Sequence, residues 1–233
     1  MSSISVAILA GGLATRLFPV TETYPKSLIE INGVPFIKHQ LLLLESKGIK
    51  DVVLCLGKFS EQVIDFINSE KIPGLEIKYS LDGDMPLGTG GAIKKAMHLL
   101  SDPFGVLYGD SYLNIEYIDI IDYFDKLDKQ GLMTVIRNEN KWDKSNVVYK
   151  NNDILNYDKS GGHEFNHIDY GFNILRKSSI HGFIEENFDL MDVLGKLIKN
   201  NDLAGFEVFN RFYEIGSFEG IKETENYLRT LNL

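Results

Sequence analysis

At 233 residues and 44% hydrophobic, the chain is long enough to bury a large core, and one domain accounts for it. The formal net charge of −9 argues against nucleic acid as a partner, because phosphate backbones reward clustered cations, and no apolar run approaches a membrane span. The first residues carry no charged n-region, so no signal peptide is expected, and the lone Cys55 in an apolar stretch suits the cytoplasm.

Residues 4–9 form a near-continuous apolar run, the pattern of a strand buried on both faces of a parallel sheet. The run enters Ala10, Gly11, Gly12, Leu13, Ala14, Thr15 and Arg16. Small residues let the backbone approach a ligand closely, and successive N–H groups in such a turn make a nest for an anion. Arg16 and Lys26 place two cations at its rim, the one suited to bidentate phosphate contact and the other a compact point charge. Pro25 stiffens the approach to Lys26. These features describe a polyphosphate cradle; the competing reading is a plain strand-to-helix turn with two solvated cations. No Gly-Lys-Ser/Thr follows, so this is not a P-loop, and it does not fit Gly-x-Gly-x-x-Gly.

Short apolar strands then alternate with amphipathic helices, the mark of a βαβ build. A helix opens at Pro35 and closes at Gly48, and a strand covers 51–56. Ser60 is read as the cap of a helix with Val63, Ile64, Phe66 and Ile67 on one side, followed by a strand over 75–80. Ala92, Ile93, Ala96, Leu99 and Leu100 recur at helical spacing. The stretch Gly88-Thr89-Gly90-Gly91 therefore sits at a helix N-terminus, where unpaired N–H groups favour an anionic ligand. A strand over 104–108 ends at Gly109 and Asp110, and a carboxylate there suits a hard cation or, more simply, a turn. A helix over 117–127 follows.

From residue 132 the character changes. Strands over 133–137, 147–149, 154–157 and 168–175 predict a small β-rich lobe, roughly 132–187, closing over one side of a core made of 1–131 and 188–233. Leu190, Val193, Leu194, Leu197 and Ile198 mark an amphipathic helix, a strand lies near 206–209, and a helix covers 217–231. The five histidines show no metal-ligand spacing.

Leu9, Ala10, Gly11, Gly12, Thr15, Arg16, Leu17, Pro19, Thr21, Pro25, Lys26 and Leu28 closely resemble the signature of sugar-1-phosphate nucleotidyltransferases, LAGG-x-GTRL-x-P-x-T…PK-x-L. Ala14 replaces the usual Gly, adding a methyl group that disfavours positive φ. Gly88 and Thr89, within PLGTGG, resemble the family's nucleobase and ribose loop, most like that of bacterial heptose 1-phosphate guanylyltransferases. A carboxylate from Asp82 or Asp84 would accept guanine's N–H donors, although either also reads as a solvated turn residue. Glu214, Ile215, Gly216 and Ser217 resemble D-[IT]-G-[TS], with Glu where the family has a metal-binding Asp. Lys159, after Tyr157 and Asp158, stands at the place of the family's sugar-phosphate lysine, and Asp169, Tyr170 and Gly171 resemble its sugar-facing turn.

The resemblance implies an α/β, three-layer Rossmann-like (GT-A-like) core with a mainly parallel mixed sheet and no C-terminal β-helix. It implies transfer of NMP from a nucleoside triphosphate to a sugar 1-phosphate, giving an NDP-sugar and pyrophosphate. The preferred pair is GTP with heptose 1-phosphate, for bacterial surface-glycan precursors; the alternative is uridylyl, cytidylyl or thymidylyl transfer to another sugar or alcohol phosphate. Leu9, Ala10, Gly11, Gly12, Ala14, Thr15, Arg16, Lys26, Gly88 and Thr89 would bind the nucleotide, with Arg16, Lys26 and Asp110 catalytic. Mg²⁺ would sit on Asp110, helped by Glu214, while Lys159, Asp169, Tyr170 and Gly171 would hold the sugar phosphate. The oligomeric state is left open by the sequence, with a homodimer as one option, since short members of such folds often pair. A GT-A glycosyltransferase would want Asp-x-Asp where Gly109-Asp110-Ser111 stands, and a non-catalytic sensor would have less reason to keep Arg16, Lys26 and Asp110.

Overall fold

A computed structural model describes residues 4–12, 15–70, 72–83 and 85–231. β1 (Ser5–Leu9) runs into the glycine loop, and a hairpin of β2 (Glu30–Ile31) and β3 (Val34–Pro35) follows. Its turn is Asn32-Gly33 with φ of 53° and 79°, the pair of positive values a type I′ turn requires. Then come α1 (Phe36–Ser46), β4 (Asp51–Leu56), α2 (Ser60–Glu70), β5 (Glu76–Leu81), α3 (Gly88–Ala96) and β6 (Phe104–Tyr108). β7 (Ser111–Tyr112), α4 (Tyr117–Phe124), β8 (Gly131–Arg137), β9 (Val147–Lys150), β10 (Asp153–Tyr157) and β11 (His167–Leu175) continue the chain. It finishes with α5 (Leu190–Lys199), β12 (Leu203–Val208), β13 (Tyr213–Glu214) and α6 (Phe218–Thr230).

Nine of these strands form one sheet in the order β5-β4-β1-β6-β11-β8-β12-β10-β9. β5, β4, β1 and β6 are parallel; β11 runs antiparallel to both β6 and β8, and β12 is parallel to β8. Strand alternation sends side chains to two layers. Val6, Ile8, Val52 and Leu54 meet α1, α2 and α4 through Ile37, Leu41, Val63, Ile67 and Ile121. Ala7, Val53 and Cys55 face the other way, toward Ala92, Ile93 and Ala96 of α3 and Leu190, Val193 and Leu194 of α5. Each fully buried Leu, Ile or Val in these layers contributes about 1.5–3 kcal/mol of transfer free energy. A smaller cluster of Ile31, Phe36, Tyr112, Ile215 and Leu228 fixes α6 and the β7–β13 pair to the body.

Several expected elements shift. The last sheet strand is 203–208 and not 206–209, because Leu203 already pairs with Gly131 of β8 and Phe209 lies exposed beyond the ladder. The helix expected to reach 127 ends at Phe124, where Lys126 N–H and Leu127 N–H bond three residues back and tighten the turn. Ser60 is the first helical residue of α2 and not a residue outside it. The strands of 132–187 join the same sheet as the parallel strands, with β11 inserted next to β6. No helix among the described residues is long and apolar enough to cross a membrane.

Candidate active site

β1, β4 and β6 end level with one another, Leu9 opposite Cys55 and Tyr108, so the loops that follow them share one edge. Ligands of parallel sheets bind beyond such carboxyl ends. Two cavities open there, of about 680 Å³ and 610 Å³.

The first is walled by Leu9, Gly11 and Gly12 after β1, by Gly57 to Ser60 after β4, and by Leu81, Asp82 and Gly83 after β5. Gly88 and Thr89 at the start of α3 close it, with Asp189. Gly11 is packed so closely that an added Cβ would lie 2.9 Å from Asp82 Oδ2 and 3.0 Å from Gly57 N, whereas one on Gly12 would meet nothing within 4 Å among the described residues. Asp82 lines this cavity; its Oδ1 is buried without a hydrogen-bond partner among the described residues, and burial lifts its carboxyl above the ordinary aspartate value despite nearby Lys95. Burial likewise pushes the Cys55 thiol up to about 12, so it stays a neutral part of the wall.

The glycines of α3 hold a different position from the one their spacing suggests. Gly90 N–H and Gly91 N–H both donate to Phe188 O, at 2.9 and 3.2 Å. Methyl groups there would run into the Phe188 ring and Glu186 O. These N-terminal amides therefore bind the chain's own 186–189 segment, which leaves Gly88 and Thr89 as the part that reaches the cavity. The residues just before that segment are tied down by Lys94 Nζ, which donates to Phe183 O, Ile184 O and Glu185 O at 2.8, 3.1 and 3.0 Å. Ala10 is similarly engaged, its N–H donating to Cys55 O at 3.0 Å.

The second cavity gathers Arg16, Asp110, Lys159, Asp169, Tyr170 and Glu214 from five separate stretches. Lys26 Nζ donates to Asp110 Oδ2 at 2.7 Å, joining the two loops. Gly216 lies beside both cations: a Cβ there would be 3.3 Å from Lys26 Nζ and 3.5 Å from Arg16 Nη2. Ile215 N–H donates to Asp110 O at 3.0 Å, and Glu214 pairs with Ser111 across the β7–β13 ladder, so the two acids come from adjoining backbones. Glu214 accepts from Gly216 N–H and, at 2.9 Å, from Ser217 Oγ. Two carboxylates on one cavity wall are the all-oxygen donor set that a hard divalent cation takes from protein.

Farther in, Asp169 accepts from Tyr108 OH at 2.6 Å and Tyr157 OH at 3.2 Å, and its turn is closed by Gly171 N–H at 3.0 Å. Burial raises the Asp169 pKa, an effect these three donors and Lys159 oppose. Gly171, at φ 103°, stands behind this group and outside the cavity lining. Thr89 borders both cavities.

Thr15 opens a short 3-10 turn with Arg16, while Ala14 and Asp84 lie outside the described residues. Sequence reasoning did not single out Gly57 to Ser60, Tyr108, Asn146, Asp189, Met191 or Phe212 as site residues, although each lines a cavity. Gly57, set directly after an apolar strand like Gly11, is the one among them with a local signal.

D-glycero-alpha-D-manno-heptose 1-phosphate guanylyltransferase of Campylobacter jejuni is 27% identical over 212 residues, covering 90% of this chain and 93% of that protein. Mannose-1-phosphate guanyltransferase of Yarrowia lipolytica is 32% identical over 147 residues, covering 61% of this chain and 40% of that longer protein. HddC from Yersinia pseudotuberculosis, in a crystal structure complexed with GMP-PN, matches with a TM-score of 0.83 at 26% identity, over 97% of this chain and 99% of that one. The Rossmann-like layers seen here are the fold of those neighbours. The sequence model of nucleotidyl transferases covers residues 5–150, from the first strand through the glycine loop, α3 and Asp110, and the chain belongs to that family.

Proposed function

We propose that this protein transfers a nucleoside monophosphate from GTP to a sugar 1-phosphate, heptose 1-phosphate for preference, releasing pyrophosphate and supplying an activated sugar for surface-glycan assembly. The observation that carries the reading is the meeting of two cavities at Thr89, one behind the glycine loop and the other lined by Arg16, Asp110 and Lys159. The base preference is supported by Asp82, whose carboxylate lines the first cavity and would accept from the guanine N1–H and exocyclic amine, and by the guanylyltransferase relatives.

In the transfer, an oxygen of the sugar phosphate attacks the nucleotide α-phosphorus. The new P–O bond forms as the bond to the β-phosphate oxygen breaks, and pyrophosphate leaves with that electron pair. A phosphate dianion is already nucleophilic, so the site needs no general base. The protein's share is position and charge. The loop at Gly11 and Gly12 receives the triphosphate, with Gly12 leaving open space for it. Arg16 faces the terminal phosphates, Lys26 bears on the α-phosphate, and Lys159 holds the phosphate of the sugar. Asp110 and Glu214 would hold Mg²⁺, which when bound offsets phosphate charge and helps align the reacting oxygens.

Pyrophosphate release measured with each of the four nucleoside triphosphates against a panel of sugar 1-phosphates, D-glycero-α-D-manno-heptose 1-phosphate included, tests this directly. GTP with the heptose phosphate is expected to give the highest kcat/KM. A clear preference for UTP, CTP or dTTP would overturn the base assignment, and no release with any pair would overturn the transfer reading.

A further inference from the structure

We propose that Asp169 sets the hydrogen-bond polarity of the second cavity, so that Tyr108 and Tyr157 face the sugar phosphate as acceptors only and select a substrate that presents a hydroxyl donor there. The inference rests on the transfer reading above and adds the feature of the sugar that is read.

A phenol carries one proton and a carboxylate none. Tyr108 OH, from the end of β6, donates to Asp169 Oδ2 at 2.6 Å, and Tyr157 OH, from the end of β10, donates to the same oxygen at 3.2 Å. Gly171 N–H occupies the other oxygen, Oδ1, at 3.0 Å. Every bond to the Asp169 carboxylate thus runs inward, and both phenolic protons are committed to it. What the two phenolic oxygens still offer to a ligand is lone pairs.

Asn146 has the complementary role. Its Oδ1 accepts Asp169 N–H at 2.9 Å, which leaves its NH₂ as the group available to a ligand. Asn146, Tyr108, Tyr157 and Asp169 all line the cavity, on the same wall as Lys159. A hydroxyl group matches such a wall, since it gives its proton to a phenolic oxygen and accepts from the amide. A fluorine, an ether or a bare methylene satisfies half of it or none. Sites built to bond a substrate hydroxyl discriminate sharply against analogues without one, because their own buried polar groups are left unpaired. Tyr108, Tyr157 and Asp169 stand on three strands of one sheet, β6, β10 and β11, which fixes their backbones relative to one another.

The test takes the best sugar 1-phosphate found with GTP in the release assay and remakes it with fluorine in place of each hydroxyl in turn. Fluorine keeps the approximate size and cannot donate. At one position it should raise KM for the sugar phosphate by ~10-fold or more, with KM for GTP unchanged and kcat little affected. Tyr157→Phe or Tyr108→Phe should erase that discrimination at the same position. Asp169→Asn should relax it: the amide oxygen keeps Gly171 N–H, and its NH₂ then donates to the phenolic oxygens and frees their protons to face the ligand. If Asp169→Asn does not fold, the two Phe variants decide. Equal use of every fluorinated analogue, or discrimination that survives both Phe variants, overturns the polarity inference and leaves the transfer reading standing. Absence of release with every substrate pair removes both.

Discussion

Lys26, in the turn at 26–28, and Asp110, after β6, form a 2.7 Å ion pair with side chains 15% and 34% exposed. Lys26→Ala is expected to lower kcat by roughly 100-fold or more, the scale seen when a single charge-stabilising donor is removed, with a melting curve close to that of the parent. Near-normal turnover would remove Lys26 from the chemistry. Asp110→Asn should abolish the response of the rate to added divalent ion, and an unchanged response would place the ion elsewhere. Asp82 offers a prediction with a sign. Burial raises its pKa above 3.8, so the folded protein takes up a proton at higher pH than the unfolded chain does. Stability from this group therefore falls as pH rises through that window and stays lowered at neutral pH. Asp82→Asn should melt higher than the parent at pH 7, the gap closing as pH drops below the ordinary aspartate value, while its KM for GTP rises. A lower melting point at pH 7 would show that the carboxylate is not a burden there.

At the scale of elements, the α3 start and the 183–190 segment behave as one unit: Lys94 grips three carbonyls, Phe188 O takes two amides, and Leu190 N–H donates to Thr89 Oγ1 at 2.8 Å. Gly91→Ala is expected to cost about 1–3 kcal/mol in urea unfolding, because its methyl would meet the Glu186 backbone, which has no rotamer with which to yield. Gly12→Ala should unfold like the parent, and a large loss there would contradict the open space around it. This contrast marks how far the sequence can be read. β1, β4 and β6 are legible because both faces of each are buried and the apolar run is unbroken. The glycine run at 88–91 is legible as a motif but misleading as chemistry, since small size answers equally to a close ligand and to a close backbone. Only the packing of Phe188 distinguishes them, and nothing within 88–91 announces a residue a hundred positions away.

For the whole molecule, the long-range joins are what sequence alone leaves out. The boundary between the cavities is Thr89 with Asp189, whose side chains bond at 3.2 Å, and the wall beside Lys159 includes Trp142 and Phe212 from loops with no motif. The insertion of β11 between β6 and β8 reverses the sheet direction there, and it is this reversal that brings Asp169 alongside Tyr108. Local patterning foretells strands; it does not foretell which neighbours they acquire.

The pairing of β13 with β7 has a consequence for biosynthesis. Glu214 follows every strand of the nine-stranded sheet in chain order, and its ladder is secured by α6 behind it. A nascent chain still threading residues 209–231 through the ribosome holds Asp110 but lacks Phe212, Glu214 and Ser217 of the second cavity. On the transfer reading proposed above, nucleotide binding at the glycine loop and turnover at the acidic pair would therefore stay separable until β13 has paired with β7.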